Sequence, residues 1–320
     1  MKAIRVHKFG DPDVMKLVDA LDPRPGENQV TVRIRSAGVN PVEAYMRAGI
    51  YAQKPDLPYT PGTDGAGEVI SIGPGVTEFD IGDRVFTIGS VSGTYAEIAL
   101  CRVDQLLPLP DNITYPQGAS LGIPYRTAYR ALFQKAFAVA GETVLIHGGS
   151  GGVGTAAIQL ARAAGCRVFA TAGTSKGLEL VHSLGADQVF NHNQPGYLDN
   201  VRNLTEGRGA NIVIEMLANV NLANDLTILS PGGRVVIIGS RGQIKIDPRR
   251  IMANEIVVTG MLLFHTTSKE ANSINTAIIT GLSNGTLIPV IGKEYSLHKA
   301  PHAHQAVMSP GAYGKIVLLP

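Results

Sequence analysis

Apolar and polar positions alternate in short stretches along the first hundred residues. Residues 30–35 place apolar and polar side chains in turn, as a strand with one buried face does. Residues 67–73 and 84–88 are two further short apolar stretches with glycine close to each. Repeated short strands of this kind predict a mainly antiparallel β domain over residues 1–120.

The pattern changes near residue 120, where compact apolar runs alternate with stretches of helical periodicity. Strands are predicted at 142–147, 167–171, 188–190, 211–215 and 234–238, and helices at 153–164 and 177–184. This alternation predicts a doubly wound parallel sheet over residues 121–262, so the fold class is α/β. Residues 263–320 carry a helical stretch at 268–282 and a strand at 315–319, and we expect them to return to the first domain.

Composition narrows the class of protein. With 320 residues, 44% of them hydrophobic and 17% charged, the chain can form two globular domains. A net charge of +2, no tryptophan and 6% aromatic residues argue against a nucleic-acid surface. Two cysteines imply no disulfide framework and fit a reducing cytosol, and the sequence predicts neither a signal peptide nor a membrane span.

A glycine motif carries the first chemical prediction. Gly149, Gly151 and Gly154 form a G-x-G-x-x-G pattern between a predicted strand and a predicted helix. Glycine permits the tight turn and the approach of a pyrophosphate, and the helix N-terminus presents free N–H groups to it. The pattern therefore predicts a dinucleotide site.

The end of the next strand indicates which dinucleotide is bound. NAD-preferring sites place Asp or Glu there, whereas this chain has Thr174, Ser175 and Lys176 and no carboxylate. Lys176 can receive a 2′-phosphate, so we predict NADPH; a solvated lysine at a helix start is the alternative. Arg241, after the strand at 234–238, is a second phosphate candidate, with an ordinary surface arginine as the alternative.

Several segments are similar to one known family. The run 147–154 resembles the nucleotide loop of zinc-free quinone oxidoreductases in the medium-chain dehydrogenase/reductase superfamily. Residues 38–43, 57–62, 82–86, 123–132, 190–192 and 214–222 resemble the ζ-crystallin branch. The resemblance covers the whole chain. It implies a GroES-like, mainly antiparallel domain beside a Rossmann domain, and a homo-oligomer, either a dimer or a homotetramer.

The resemblance also implies positions that contact NADPH. They are Tyr45, Ser150, Gly151, Gly152, Val153, Gly173, His192, Asn221, Ile238, Gly239, Ser240, Arg241, Met261, Leu262 and Leu263. Some of these positions are equally compatible with a purely structural role. His192 is then a loop histidine with a structural hydrogen bond, Asn221 a helix N-cap, and 261–263 plain core.

No metal site is predicted. Zinc-dependent members of the superfamily carry a cysteine and a Gly-His-Glu stretch where this chain has Asn40 and Gly62-Thr63-Asp64. Asparagine and threonine do not supply the thiolate and imidazole that zinc prefers. His298, His302 and His304 contain one i,i+4 pair, and we expect a cluster without function on a helix surface.

Without a Lewis acid, a conjugated acceptor is a better substrate than an alcohol. The prediction is an NADPH-dependent quinone reductase, with Tyr45, Tyr51, Tyr59 and Asn40 as pocket candidates and Tyr45 and Asn40 as the catalytic candidates. The resemblance implies one-electron transfer to ortho-quinones. Two alternatives stay open: reduction of an enone double bond, and binding of AU-rich RNA, which is also implied by the resemblance.

Overall fold

All 320 residues are described in a computed structural model. The chain divides into two units, which we call the terminal and the central unit. The terminal unit comprises Met1–Pro124, Ile279–Pro310 and Gly314–Pro320, and the central unit comprises Tyr125–Ile278 and Gly311–Tyr313. Residues 263–278, predicted to return to the first domain, lie in the central unit, where Glu270 forms an ion pair with Arg130 and Ser273 hydrogen-bonds with Tyr129.

Fifteen strands make up three sheets. They are β1 Lys2–Val6, β2 Met15–Asp19, β3 Gln29–Val39, β4 Asp64–Ile72, β5 Arg84–Thr87, β6 Ile98–Arg102, β7 Leu106–Pro108, β8 Thr143–Ile146, β9 Arg167–Ala172, β10 Gln188–Asn191, β11 Ala210–Glu215, β12 Leu229–Ile237, β13 Val257–Gly260, β14 Ile291–Ser296 and β15 Lys315–Leu319.

Ten α-helices accompany them. They are α1 Pro41–Ala48, α2 Tyr115–Gly118, α3 Gly122–Tyr129, α4 Gly152–Ala163, α5 Ser175–Ser183, α6 Tyr197–Leu204, α7 Ala218–Ile228, α8 Pro248–Ala253, α9 Ser268–Ser283 and α10 Ala300–Met308. None of the helices is both long enough and apolar enough to cross a bilayer.

The terminal unit is built on a sheet with the order β14-β15-β3-β4-β5-β7, in which β6 also pairs with β3. Neighbouring strands are antiparallel except for β14 and β15. The long strand β3 lies in the middle, and its Val30, Val32 and Ile34 are buried in the core. Ile316 of β15 pairs with Val39 of β3, so the next residues, Lys315 and Asn40, come side by side.

The central unit contains six parallel strands in the order β10-β9-β8-β11-β12-β13. Because β8 and β11 are adjacent while β9 and β12 lie on either side, the strand order reverses between β8 and β11. Ligands of such sheets bind outside the carboxyl ends of the strands at this reversal. The antiparallel sheet and the doubly wound parallel sheet together confirm the predicted α/β fold class.

Candidate cofactor site and active-site residues

The glycine loop joins β8 to α4 and is held against the next strand. The amide of Gly149 donates to the carbonyl of Thr171 at 2.7 Å, and that of Gly148 to the Thr171 hydroxyl at 3.1 Å. A Cβ on Gly154 would lie 2.3 Å from the Gly148 carbonyl oxygen. Glycine is therefore required at 154 for α4 to approach the end of β8 so closely.

The N-terminus of α4 has no side-chain cap, so its first amides lack an internal acceptor. Gly151 is the N-cap residue, and a Cβ added there would meet nothing closer than 3.5 Å. The space in front of the helix is thus open, while the glycines behind it are tightly packed. These residues fit the pyrophosphate of a dinucleotide, which an uncapped helix N-terminus binds through its N–H groups and dipole.

Every strand of the parallel sheet is followed by residues predicted to contact the cofactor. In chain order these are Ser150, Gly151, Gly152 and Val153 after β8; Gly173 after β9; His192 after β10; Asn221 after β11; Ile238, Gly239, Ser240 and Arg241 after β12; and Met261, Leu262 and Leu263 after β13. All six strands run in one direction, so these segments follow the same edge of the sheet.

The loop after β9 brings Lys176 into a contact that sequence analysis missed. Thr174 caps α5 by accepting from the amide of Gly177 at 3.0 Å, and Lys176 follows on the exposed first turn. The Lys176 ammonium lies 4.9 Å from the centre of the Tyr313 ring, a cation–π distance. The Ser150 hydroxyl also donates to the Ala312 carbonyl at 2.7 Å. The tripeptide Gly311–Tyr313 therefore borders two of the predicted cofactor contacts, Ser150 and Lys176.

Asn221 and the loop after β12 are held by neighbouring polar groups. Asn221 lies inside α7, whose N-cap residue is Leu217, so the N-cap alternative for Asn221 is wrong. Its side-chain amide donates to Oε1 of Glu215 at 3.2 Å. The amide of Arg241 donates to Oδ1 of Asn219 at 2.8 Å. His192 contacts the Thr171 hydroxyl at 3.5 Å, and its Nε2 would lie 2.6 Å from a Cβ on Gly173.

Asn40, in the terminal unit, belongs to a buried polar cluster. It precedes α1, and its side-chain amide donates to Asp64 Oδ2 at 2.9 Å and to Glu43 Oε1 at 3.4 Å. The Lys315 ammonium donates to Oδ1 of Asn40 and, at 2.8 Å, to Oδ2 of Asp64. Every polar atom of the Asn40 side chain is thus engaged. Lys315 lies 275 positions along the chain from Asn40, and sequence analysis did not identify it.

Glu43 carries the most perturbed carboxyl of this cluster. Burial, and then the neighbouring Asp64, raise the pKa of Glu43 to about 6 against the opposing effect of Lys315. Its Oε1 accepts from the amide of Thr63 at 3.0 Å, and its Oε2 from the amide of Asn40 and the hydroxyl of Tyr95, each at 2.8 Å. Both carboxyl oxygens therefore have donors.

A cavity of 440 Å³ opens beside this cluster within the terminal unit. Glu43, Tyr59 and Thr63 are among its lining residues, together with the segment 90–93. Burial, and then Glu43, raise the pKa of Tyr59 to about 12, and its buried hydroxyl has no hydrogen-bond partner. Tyr45 is half-buried on α1 and Tyr51 follows that helix; neither lines the cavity.

The C-terminal histidines do not share one surface. His298 and His302 are exposed, but His304 is fully buried on α10, and its Nε2 lies 3.1 Å from the Tyr95 hydroxyl. Burial lowers the pKa of His304 to about 3, and Arg47 adds to the effect. The prediction of a surface cluster is therefore wrong for His304, because α10 packs that side against the terminal core.

Comparisons with known proteins agree on one family. A family model described as "Alcohol dehydrogenase GroES-like domain" matches residues 26–111, and one described as "Zinc-binding dehydrogenase" matches residues 152–277. Two solved structures superpose over 100% of both chains: an NAD-dependent alcohol dehydrogenase, with a TM-score of 0.93 at 28% identity, and Escherichia coli quinone oxidoreductase complexed with NADPH, with a TM-score of 0.89 at 26% identity.

A curated relative is closer in sequence. The quinone oxidoreductase of Rattus norvegicus is 50% identical over 321 residues, which span 100% of this chain and 98% of that protein. The likeness therefore includes both units and the segments after all six parallel strands. The chain belongs to the ζ-crystallin-like quinone oxidoreductases of the medium-chain dehydrogenase/reductase superfamily.

Proposed function

We propose that this protein is an enzyme that uses NADPH to reduce quinones. The observation that carries the proposal is the edge of the parallel sheet, where α4 begins without a side-chain cap and all six strands are followed by segments expected to contact a dinucleotide. Membership of the quinone oxidoreductase family and the NADPH complex of the Escherichia coli relative support the same assignment.

The residues after β9 support NADPH over NADH. No carboxylate follows this strand to accept from a ribose hydroxyl, and Lys176 supplies a positive charge. The Tyr313 ring restrains the ammonium at 4.9 Å and leaves its hydrogen-bond donors available to a 2′-phosphate. Bound NADPH supplies the reducing equivalents. The protein's part is to bind and orient this cofactor and the acceptor.

The reaction proceeds, in this proposal, without a catalytic zinc. Asn40 and Gly62-Thr63-Asp64 stand where zinc-dependent members of the superfamily carry a cysteine and a Gly-His-Glu stretch, and here Asn40 and Asp64 both receive hydrogen bonds from the Lys315 ammonium. A fixed ammonium at these oxygens opposes a second cation through like-charge repulsion. Asn40 then acts by holding the cluster, and Tyr45, whose hydroxyl makes no hydrogen bond in the protein, is free to contact cofactor or acceptor.

The acceptor is a quinone, and the cavity of the terminal unit is its proposed pocket. Tyr59 and residues 90–93, which include two serines, offer aromatic and polar contacts to such a ring system. Following the family resemblance, ortho-quinones are the preferred class and transfer proceeds one electron at a time. This preference is tested by measuring NADPH oxidation by absorbance with a panel of ortho-quinones, para-quinones and enones. Turnover of enones alone contradicts the quinone assignment and favours double-bond reduction.

Cofactor preference is tested by titrating the protein with NADPH and with NADH. Replacing Lys176 by alanine is expected to weaken NADPH binding about tenfold, because a charge-assisted contact to phosphate is lost. NADH binding stays unchanged. Lys269→Ala is the matched control, since Lys269 is also the exposed second residue of a helix. Equal loss for both cofactors, or equal affinity of the unmodified protein for both, contradicts the role of Lys176.

Three further parts of the proposal derive from the family resemblance: a dimer or homotetramer, a cytoplasmic location, and AU-rich RNA as a second ligand. Sedimentation measures the first and imaging of the tagged protein in cells the second. A salt-dependent mobility shift with AU-rich RNA, competed by NADPH, measures the third. RNA binding without any NADPH oxidation would make the alternative class the better description.

A further inference from the structure

A buried group of three titratable side chains lies behind the glycine loop. His147 follows β8 and Glu215 ends β11, and the register that pairs Ile146 with Ile214 places the two side by side. Helix α7 brings Asp225 to the same place. Nε2 of His147 lies 2.9 Å from Oδ1 of Asp225 and 3.6 Å from Oε2 of Glu215. We call these three residues the central triad.

The triad is short of one hydrogen-bond donor. Glu215 Oε1 accepts from the backbone amide of Leu217 and the side chain of Asn221. Oε2 of Glu215 and Oδ2 of Asp225 are buried and have no hydrogen-bond partner. Both side chains are 0% exposed, and a buried, charged carboxylate oxygen that no donor satisfies is costly or takes up a proton. A proton bound between the two carboxyls supplies the missing donor.

Two further titratable groups face the triad, and neither adds a charge to it. Tyr197 of α6 stands edge-on to the His147 ring, with centroids 6.4 Å apart. Its pKa is raised by burial and then by Asp225 and Glu215, so its phenol stays neutral. The pKa of His192, after β10, is lowered by loss of solvent and then by His147. The charge of this region is therefore set by the triad itself.

The preferred protonation state of the triad follows from its geometry. Burial, and then the adjacent Asp225, raise the pKa of Glu215 against the effect of His147. Burial lowers the pKa of His147, but the two carboxyls together outweigh it and the pKa is raised. The consistent state has His147 charged and one proton shared between the two carboxyls. The three groups are then neutral overall.

The triad is connected to three of the segments expected to hold the cofactor. The Glu215 backbone carbonyl accepts from the amides of Ile238 at 2.8 Å and Gly239 at 3.4 Å. The Glu215 side chain holds Asn221, and His147 immediately precedes the glycine loop. If Glu215 ionises, two buried carboxylates repel each other and α7, which carries both Asp225 and Asn221, is displaced from β11.

We propose that His147, Glu215 and Asp225 form a positioning triad that keeps one proton between its carboxyls and thereby sets Asn221 and the segment 238–239 for NADPH. This inference rests on the proposed function, since it concerns the site where NADPH is expected. None of the three residues needs to touch the cofactor. They act through the residues that do.

The test is the NADPH dissociation constant, measured by fluorescence between about pH 6 and pH 9. In the unmodified protein, affinity is expected to fall about three- to tenfold as the triad loses its proton near pH 7. Glu215→Gln imitates the protonated carboxyl, because its carbonyl can accept from Leu217 and Asn221 and its NH₂ can donate to Asp225. We call this fall in NADPH affinity near pH 7 the affinity step, and the variant is expected to lose it. Titration of the cofactor phosphate is common to all variants and cancels in the comparison.

Two further variants keep the test decisive. Asp225→Asn removes the like charge, so Glu215 ionises at lower pH and the step near neutrality is expected to disappear here too. Glu142→Gln is the matched control: Glu142 stands immediately before β8, at the opposite end of that strand from His147, and is paired with Arg234. Glu142→Gln is expected to keep the affinity step of the unmodified protein. A step that persists in Glu215→Gln overturns the proposal.

Additional outcomes separate this inference from the proposed function. A divalent metal retained in stoichiometric amount after dialysis, and lost in Glu215→Gln, overturns the shared proton because a metal ion then bridges the carboxyls. Urea unfolding without cofactor measures the proton independently. If NADPH binds at no pH while the pH dependence of unfolding still differs between the unmodified protein and Glu215→Gln, the proposed function fails and the shared proton stands.

Discussion

Each unit buries a polar cluster with the same number of ionisable groups of each kind, but the two clusters differ in how many hydrogen-bond donors reach their carboxyls. Each contains two carboxyls and one cation: Glu43, Asp64 and Lys315 in the terminal unit, and the central triad in the other. In both, one glutamate has a raised pKa. The terminal cluster surrounds Glu43 with backbone amides and the Tyr95 hydroxyl, whereas the triad leaves two carboxylate oxygens without donors.

The difference shows that hydrogen-bond donors, and not only the balance of charges, decide how strongly a buried carboxyl depends on its proton. A buried carboxyl that accepts several hydrogen bonds can be accommodated in either protonation state at moderate cost. A buried carboxyl with one oxygen that lacks a donor depends more strongly on its proton. We therefore expect the terminal cluster to keep its geometry when it changes protonation state. The geometry of the central triad, which lies next to the cofactor segments, is expected to depend on pH.

Removal of the terminal cation is expected to have the largest effect on stability. Lys315→Met leaves Asp64 and Glu43 buried without a positive charge, and breaking a buried ion pair costs about 3–5 kcal/mol. Urea unfolding followed by circular dichroism measures the loss. Lys293→Met, an exposed lysine on the neighbouring strand β14, is the control and is expected to cost almost nothing. A loss below that of an ordinary surface change would show that Lys315 does not neutralise this cluster.

Removal of the anion that pairs with His147 is expected to cost less. Asp225→Asn keeps the shape of the side chain and an acceptor for His147, but loses the charge, so about 1.5–3 kcal/mol is expected. Repulsion with Glu215 disappears at the same time and offsets part of the loss. Asp199→Asn on the exposed face of α6 serves as the control in the same unfolding assay. Equal stability of the two variants would indicate that His147 is not paired with Asp225.

The pH dependence of stability distinguishes the two glutamates. Both have folded-state pKa values above the ordinary 4.5, so their contribution is full below that pH and is lost as pH rises, through about 6 for Glu43 and about 7 for Glu215. For Glu43 the change is about 2 kcal/mol. The free energy of unfolding, measured against pH, should lose its lower step in Glu43→Gln and its upper step in Glu215→Gln. Steps that persist in both variants would contradict this assignment.

Loss of one donor in the terminal cluster is expected to have the smallest effect. Tyr95→Phe removes the hydroxyl that donates to Glu43 at 2.8 Å, a loss of about 1 kcal/mol. Tyr115→Phe is a close control, because Tyr115 donates to Glu68 at the same distance but is half-exposed. The difference between the two variants in thermal unfolding measures the effect of burial. A larger loss of thermal stability in Tyr115→Phe than in Tyr95→Phe would contradict the expectation that the buried hydrogen bond contributes more.

The fold was largely predictable because apolar periodicity is a local signal. The runs around β8, β9, β11 and β12 and the helix α9 were located to within a few residues, and β15 was predicted at its observed bounds. Strand β12 begins at Leu229 rather than near 234, because residues 229–233 contain proline and two glycines that hide the start of the strand. The glycine and proline signal marks an irregularity in the strand, because the register with β11 shifts between Leu229 and Arg234 and Gly232 has a φ of 70°.

The candidate site was only partly predictable because its polar partners are remote in sequence. Lys315 meets Asn40 through the pairing of β15 with β3, and no local pattern connects positions 275 apart. The central triad did leave a signal. Glu215 ends an apolar strand, and Asn221 and Asp225 are four apart on the following helix, so both face the same side. A charged residue in that position, with two polar residues at helical spacing beyond it, predicts a buried partner.

The place of β15 in the terminal sheet has a consequence for synthesis on the ribosome. The parallel strands and crossover helices of the central unit are contiguous from Tyr125 to Ile278 and can pair as soon as they emerge. The terminal sheet cannot be completed then, since β15 inserts between β14 and β3 and brings Lys315 to a cluster whose other members were translated first. Until β15 emerges from the exit tunnel, Asp64 and Glu43 lie in an incomplete sheet that chaperones and proteases can reach.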